Sequence, residues 1–591
     1  MRYMIIALAI LFSMPVWAKA GEQPAVCQFF VSPAGNDANP GSQGKPFASL
    51  RRARDAVRQL IASGLRGDVS VIFRQGVYEL SESLVFGPED SGSEQFAVTY
   101  AAQPGETVIL SGGRKISGWK RGEGEIWTAA VPGVAEGKWY YRNLFVHGKR
   151  AIRARTPNQD AKPNSFQLKD AELSKDLSRF TLSVAPGVLG DWRNTADIEV
   201  MVAGNWEINR KQVESLDVPA NRIVLAPPHQ SGPDYIFPAA GRWYHLENAR
   251  EFLDQPGEWY LDRKTGTLSY WLRPGEDMAR VEVVAPVLQQ LLAVKGTPQK
   301  PVRNLHFKGL RFEHTDWQLP KEGYMGVQAC HYGNAEYHVP AAACFTWAEH
   351  CSVEDGVLAH LGGCGVEIAM GCRENLIQGN GVFDVSANGI LVSGPNAEAE
   401  MPKGNHVSNN HVHACGVEFY GAVGIWAGIT QGTVISHNLI HHLPYTGISV
   451  GWQWNPQPTA CKENRIEYNH VFDVMNRLRD GGCIYTLGFQ PGTVIRGNHV
   501  HDVHRSVFAQ GAPSNGMFID EGSKGFLFER NVIYRTAAEL VRFNACNRDW
   551  HTWRDNYIGD SEINKTGAKE IMAQAGLESL YRQRLNKIAE R

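Results

Sequence analysis

An all-β chain wound as a right-handed parallel β-helix is predicted by three features of the sequence. The first is a recurring asparagine, at Asn380, Asn410, Asn438, Asn469, Asn498 and Asn531, one every 28 to 33 residues. The second is its apolar framing. Val382, Val412, Ile440, Val471, Val500 and Ile533 follow two positions later, and Ile377, Val407, Ile435, Ile466, Ile495 and Phe528 lie three before. The third is a further short strand in the period, led by glycine, as in Gly389-Ile390-Leu391-Val392, Gly447-Ile448-Ser449-Val450 and Gly516-Met517-Phe518-Ile519. Repeats of this length, built of short β-branched segments, describe a solenoid whose coils bury one another; propeller blades need about 40 residues or more. The recurring asparagine should stack as an interior ladder.

Residues 1–20 read as a signal peptide: Arg2, an apolar stretch from Met4 to Trp17, then Ala18-Lys19-Ala20. Export to the periplasm or the extracellular space is therefore expected, with no membrane span in the mature chain. Residues 21–115 should hold a cap helix and the first coils. The cap is read over Pro46 to Ile61, with Leu50, Ala53, Val57, Leu60 and Ile61 on one stripe. Residues 116–285 break the repeat. They carry Trp119, Trp127, Trp139, Trp206, Trp243, Trp259 and Trp271, and a hairpin signal in Trp259-Tyr260-Leu261 and Leu268-Ser269-Tyr270-Trp271. This segment is expected to be an inserted β-sandwich-like domain. Residues 286–560 should form the main solenoid with a groove for substrate, and residues 561–591 a helical cap at its far end.

Composition excludes some functions. Lys+Arg number 59 and Asp+Glu 61, for a net charge of −2, without the basic excess that nucleic-acid binding needs. Ten cysteines permit disulfides in an exported chain, but no CxxC pair supports a zinc knuckle or a redox motif. Ten of the 20 histidines lie between 406 and 504. His411, His413, His441, His470, His499 and His501 fall one or three positions after an anchor asparagine. That places them outside the core, on a solvated polar face or along a sugar-binding groove. His499-x-His501 has two imidazoles of a metal site but no third ligand in its spacing, so neither a metal nor any other cofactor is expected.

Several motifs carry a resemblance. They are Phe30-Val31-Ser32-Pro33-Ala34-Gly35-Asn36-Asp37, Tyr141 to Ala151, Glu258 to Arg263, Asp480-Gly481-Gly482-Cys483-Ile484-Tyr485-Thr486-Leu487-Gly488 and Ile519-Asp520-Glu521-Gly522-Ser523. Together they resemble glycoside hydrolase family 141 over nearly the whole mature chain. That family includes an α-L-fucosidase acting on pectin and a xylanase. The resemblance implies two catalytic aspartates, which fall on Asp480 and Asp520. Cys483 stands where alanine is expected.

Hydrolysis of a glycosidic bond usually needs two carboxyl groups, one as acid and one as nucleophile or base. Asp480 and Asp520 lie on consecutive repeats. With Gly482 aligned to Gly516, however, they sit at opposite ends of their strands, about 20 Å apart along extended chain. Either the Gly481-Gly482 turn doubles back, or Glu521 or Asp473 supplies the second carboxyl. Tyr485, Trp426, Trp452 and Trp454, with His470, His499 and His501, are the candidate sugar contacts; Trp550 and Trp553 are further platforms, and Trp206 and Trp243 reach from the insert. The expected partner is a polysaccharide or oligosaccharide of pectic or hemicellulosic type. Two other readings stand beside hydrolysis. One is a polysaccharide lyase acting on a uronate, with Arg477, Arg479 or Arg505 near the site; the other is a non-catalytic carbohydrate-binding solenoid.

Overall fold

The computed structural model describes residues 27–229, 238–333, 335–508 and 513–589. The expected signal peptide, 1–20, lies outside them. The chain winds as a right-handed parallel β-helix of three sheets with 12, 11 and 10 strands, here called first, second and third in the order one coil visits them. One coil runs through Arg465–Glu467, His470–Val474 and Gly481–Thr486 before the next begins at Val494–Arg496. Inward positions are filled by Val, Ile and Leu, so stacked coils share one continuous apolar core.

The asparagine ladder forms inside this core. Each anchor from Asn380 to Asn498 gives its Nδ2 to the Oδ1 of the next, at 2.9–3.0 Å. The same Oδ1 accepts the preceding asparagine's backbone N–H at 3.0–3.1 Å. All six anchors are fully buried, and Asn531 passes the ladder on to Asn556 at 2.9 Å. An amide suits this turn because it donates and accepts at once, so a polar group stays satisfied without water.

The corner between the second and third sheets explains the glycine that leads each third-sheet strand. A Cβ on Gly482 would meet Asn515 O at 2.5 Å, and one on Gly516 would meet Leu540 O at 2.5 Å. Side chains are excluded because coils approach there backbone to backbone.

Helix α1, Leu50–Ala62, covers the open amino-terminal end with Leu50, Ala53 and Val57. It starts four residues later than the apolar stripe suggested. Ser49 is its N-cap, accepting Arg52 N–H, while Asp37 holds Ser49 and Ala48 in an extended lead-in. The carboxy-terminal helices α2, Thr566–Gln574, and α3, Ser579–Ala589, do not plug the far end. They run back along the flank of the solenoid. Ala568 and Ile571 pack on Val532 and Tyr534, Gly576 N–H bonds Tyr468 O, Glu578 pairs with Asn409, and Arg584 reaches Asp355 and Gly379. No helix among the described residues is long and apolar enough to cross a membrane.

The segment between Lys115 and Val283 interrupts the solenoid, and the register of the coils ignores the interruption. Val98–Ala102 pairs directly with Leu305–Lys308, and Val108–Ser111 with Arg311–Glu313. Between them the chain leaves through Gly113–Lys115 and returns through Val283–Pro286, two strands that pair antiparallel. The intervening strands form a five-stranded sheet and eight strands of a nine-stranded one, completed by Tyr324–Met325 from beyond the insert, with apolar cores of their own. The expected hairpin is there, with Trp259 opposite Tyr270. A buried ion-pair network seals the insert to the solenoid: Arg142 and Arg210 meet Glu199 and Glu247 of the insert, and Arg142 also meets Glu418 of a coil. The ten cysteines carry free thiols, several lying inside the coils.

Candidate functional site

The outer face of the third sheet carries one row of aligned residues, Leu391, Trp426, Ser449, Tyr485, Phe518 and Arg542, from successive coils. Asp480 precedes the strand that bears Tyr485, and Asp520 follows the strand that bears Phe518. The register differs by one from the alignment of glycines: Gly482 lies opposite Asn515, and pairing lapses at Cys483 before resuming at Ile484 opposite Met517. Asp480 and Asp520 therefore stand at opposite ends of neighbouring strands, yet the charge of Asp520 acts on Asp480 across the face between them. Two tyrosines span it. Tyr445 donates its hydroxyl to the Asp480 carbonyl at 2.8 Å, and Tyr485 donates to Asp520 Oδ2 at 2.5 Å.

The two carboxyl groups differ in their surroundings. Asp520 is held at both oxygens, by Tyr485 and by Asn544 Nδ2 at 2.7 Å. Burial raises its pKa, against those hydrogen bonds and the charge of Arg542. Asp480 adopts a left-handed backbone, φ 63°, which aspartate tolerates better than most residues. None of the described residues hydrogen-bonds its carboxyl. Burial, then the charge of Asp520, push its pKa up to about 6, despite Arg542 and Arg479. Both hydrogen bonds to Asp520 favour its charged form, whereas nothing comparable holds Asp480 ionised.

The insert shapes one wall. Its turn at Gly204–Glu207 gives Asn205 to Arg479: Asn205 O accepts Arg479 N–H at 3.0 Å and its side chain meets the guanidinium. Glu207, fully buried, accepts hydrogen bonds from Cys330 N–H and the Tyr324 hydroxyl, both at 2.9 Å. Trp206 Nε1 reaches Val327 O at 2.5 Å. These contacts fix the loop carrying Gln328 and His331. Gln328 meets the hydroxyls of Tyr445 and Tyr485. His331 lies 4.2 Å from the Trp452 ring and 4.6 Å from that of Trp426. Trp454 continues this aromatic group at 4.7 Å from Trp452 and is 38 % exposed. The loop bearing these tryptophans abuts Gly522, φ 72°, where a Cβ would sit 2.2 Å from the Asn455 carbonyl carbon. Trp426 is almost fully buried and supports the others from behind.

Other residues singled out in the sequence lie elsewhere. Glu521 stays beside Asp520, with its pKa raised by burial and by that neighbour. Asp473 belongs to the second sheet and pairs with His442 and His504 at 3.0 and 2.8 Å. His470, His499 and His501 also sit on the second sheet, not on the face that carries Asp520 and Tyr485. With His411, His413 and His441 they do point away from the core, but the face is not solvated. His411, His499 and His501 are buried, and the rings stack on one another and on Phe383, Phe472 and Tyr534. Trp553 stacks on Phe528 of the first sheet at 4.3 Å, and Trp243 packs on Phe508. Sequence reasoning missed Tyr445, Gln328, Asn205 and Asn544. Asn544 alone left a signal: it follows its strand one coil after Asp520, because Ile519 aligns with Phe543.

A solenoid whose third sheet presents acidic, aromatic and arginine side chains beneath an inserted lobe defines a right-handed β-helix protein of the carbohydrate-active kind. The family comparisons agree. The model of the GH141 insertion domain matches residues 124–273, and that of the right-handed beta helix region matches residues 342–533. A solved structure described as a glycoside hydrolase superposes with a TM-score of 0.82 at 26 % identity, over 94 % of this chain and 100 % of that one. A structure of XylC with xylose has a TM-score of 0.50 at 14 % identity, over 87 % and 70 %, a likeness of fold. No curated protein sequence matches. The chain is a glycoside hydrolase family 141-like right-handed parallel β-helix protein.

Proposed function

We propose that the protein is an exported glycoside hydrolase that cleaves fucosyl or xylosyl linkages in a pectic or hemicellulosic glycan, with Asp480 as general acid and Asp520 as nucleophile or base. The observation that carries this reading is the unequal treatment of two neighbouring carboxyls. Asp480 has no hydrogen bond from a described residue and a pKa near 6, so it keeps a proton to give to the leaving oxygen at mildly acidic pH. Asp520, bound by Tyr485 and Asn544, is steadied as an anion aimed from a fixed position. Environments that push the behaviour of two carboxyls apart are how such pairs divide the work. Trp454 and Trp452 offer apolar faces for sugar rings. The export reading rests on the amino-terminal sequence alone.

The test is hydrolysis of aryl α-L-fucosides, aryl xylosides and pectic and hemicellulosic oligosaccharides by the wild type, Asp480→Asn and Asp520→Asn. The proposal expects sugar release by the wild type only. Unsaturated, ultraviolet-absorbing products would indicate a lyase, and binding without any product a carbohydrate-binding solenoid.

A further inference from the structure

We propose that His470, His499 and His501 form a binding site for one zinc-like divalent transition-metal ion on the outer face of the second sheet. The sequence offered only His499-x-His501, a pair without a third ligand. The missing ligand comes from the neighbouring coil: His470 pairs in register with His499. One ring nitrogen from each of the three histidines lies within 4.8 Å of the others. His470 Nε2 faces His501 Nε2 at 2.8 Å.

The surroundings distinguish this trio from an ordinary stack of imidazoles. His501 Nδ1 sits 2.7 Å from Asp502 Oδ2, and Asp502 is gripped by Arg535 through Nε at 2.6 Å and Nη2 at 2.7 Å. A carboxylate fixed in this way keeps the proton on Nδ1 and leaves the Nε2 lone pair turned towards His470. This is the carboxylate–histidine arrangement that orients metal-binding imidazoles. His499 Nε2 meets the Tyr534 hydroxyl at 3.0 Å, while its Nδ1 is buried with no hydrogen-bond partner, a polar atom that a bound ion would satisfy. His411 and His441 also face each other, at 2.7 Å, but there the second nitrogen of His441 is turned to His442 rather than to a carboxylate.

Three neutral imidazoles suit zinc, cobalt, nickel or copper and not calcium or magnesium. Tetrahedral zinc with bonds of about 2.0–2.1 Å holds its ligand nitrogens about 3.3 Å apart, so the rings must part by about 0.5 Å on loading. Protein atoms supply three ligands, and the fourth position falls to water. The ion would join two successive coils on the face packed beneath the carboxy-terminal segment, where a Cβ on Gly576 would lie 3.0 Å from His470 Cβ. It stands apart from Asp480 and Asp520, which belong to the third sheet.

The experiment strips the full chain with a chelator, dialyses it against Zn²⁺ or Co²⁺, and measures metal content and the cobalt absorption spectrum. One ion per chain is expected, with a tetrahedral cobalt spectrum and a higher melting temperature for the zinc-loaded protein. His470→Ala and His501→Ala should lose the ion, and His411→Ala should keep it. Asp502→Asn, a milder change that leaves all three ligands in place, should weaken zinc binding about 10–100-fold. Failure of the wild type to retain any of Zn²⁺, Co²⁺, Ni²⁺ or Cu²⁺ overturns the proposal. So does retention that is unchanged in folded His470→Ala, His501→Ala and Asp502→Asn proteins.

Discussion

Asp480 combines a strained backbone, a carboxyl that no described residue binds and a raised pKa. Each has a consequence that can be measured. Removing either carboxyl of the pair should lower turnover by about 10²–10⁴-fold, the range for acid–base catalysis, with Asp480→Asn and Asp520→Asn still folded by circular dichroism. If Asp480 is the acid, kcat/KM should fall as pH rises through about 6, and this limb should vanish in Asp480→Asn. Tyr485→Phe removes a hydrogen bond that favours the Asp520 anion. The acidic limb of the profile should therefore move to higher pH, with a loss of about tenfold or more. Removing the Asp480 carboxyl should lower activity but raise stability at neutral pH. A folded pKa above the unfolded value means the native state binds that proton more tightly, so its contribution is complete below about 4 and is lost as pH rises through about 6. Asp480→Asn should thus melt higher than the wild type at pH 7.5, by on the order of 1 kcal/mol after solvent screening, and show little difference at pH 4. The two aspartates and Tyr485 were legible in the sequence through motif resemblance. Tyr445, Gln328 and Asn205 were not, because only the winding of the chain and the seating of the insert bring them there. Asp473 misled for the same reason, since nearness along the chain does not say on which sheet a residue emerges.

At the scale of the element, the asparagine ladder is both the clearest sequence signal and a strong source of register. Its six anchors were readable because the amide must recur at a fixed place in every coil. A second ladder at the turn before the first sheet, Asn375 to Asn405 and Asn464 to Thr493, was not read; it mixes asparagine with threonine and so hides its period. Asn438 uses its amide fully. It donates to Val407 O and Asn469 Oδ1, and accepts from the N–H and side chain of Asn410. Asn438→Ala strands several buried partners at once and should cost roughly 3 kcal/mol or more in denaturant unfolding. Asn556→Ala, at the partly exposed last rung, should cost about 1 kcal/mol, since water can replace the lost amide there. Equal losses at both positions would mean that the ladder's buried geometry is not what stabilises the coils. The helices were legible as elements but less so in their roles. The stripe of α1 was visible, while its start was set by the Ser49–Asp37 cap; α2 and α3 were visible as helices, but nothing local tells that they fold back.

The whole molecule separates its tasks by face. The third sheet, under the insert, carries the candidate site. The second sheet carries the histidine rows beneath the carboxy-terminal segment. The insert was legible as a break in the repeat, and its unbroken register on either side shows why the solenoid tolerates it: the chain departs and returns through two strands that pair with each other. The carboxy-terminal segment is a strap rather than a plug. Its contacts run from Val532 and Tyr534 through Tyr468 to Asn409 and Asp355, so it links the last coils to those near the middle of the array. In a solenoid most contacts join neighbouring coils, and stability is nearly a sum over them; a strap across several coils couples units that otherwise fray separately. Truncation after Gly559 should therefore lower the melting temperature and broaden the transition. It should also speed hydrogen exchange in the second-sheet strands His411–Cys415, His470–Val474 and His499–Val503. Among the described residues none of the strap's contacts reaches the candidate site on the third sheet, so turnover measured well below the melting transition should stay within about twofold of the full chain's, a change of less than about 0.5 kcal/mol in the barrier. A truncated protein that remains folded but loses activity would contradict this division between the faces, whereas one that melts like the full chain would show that the strap couples nothing.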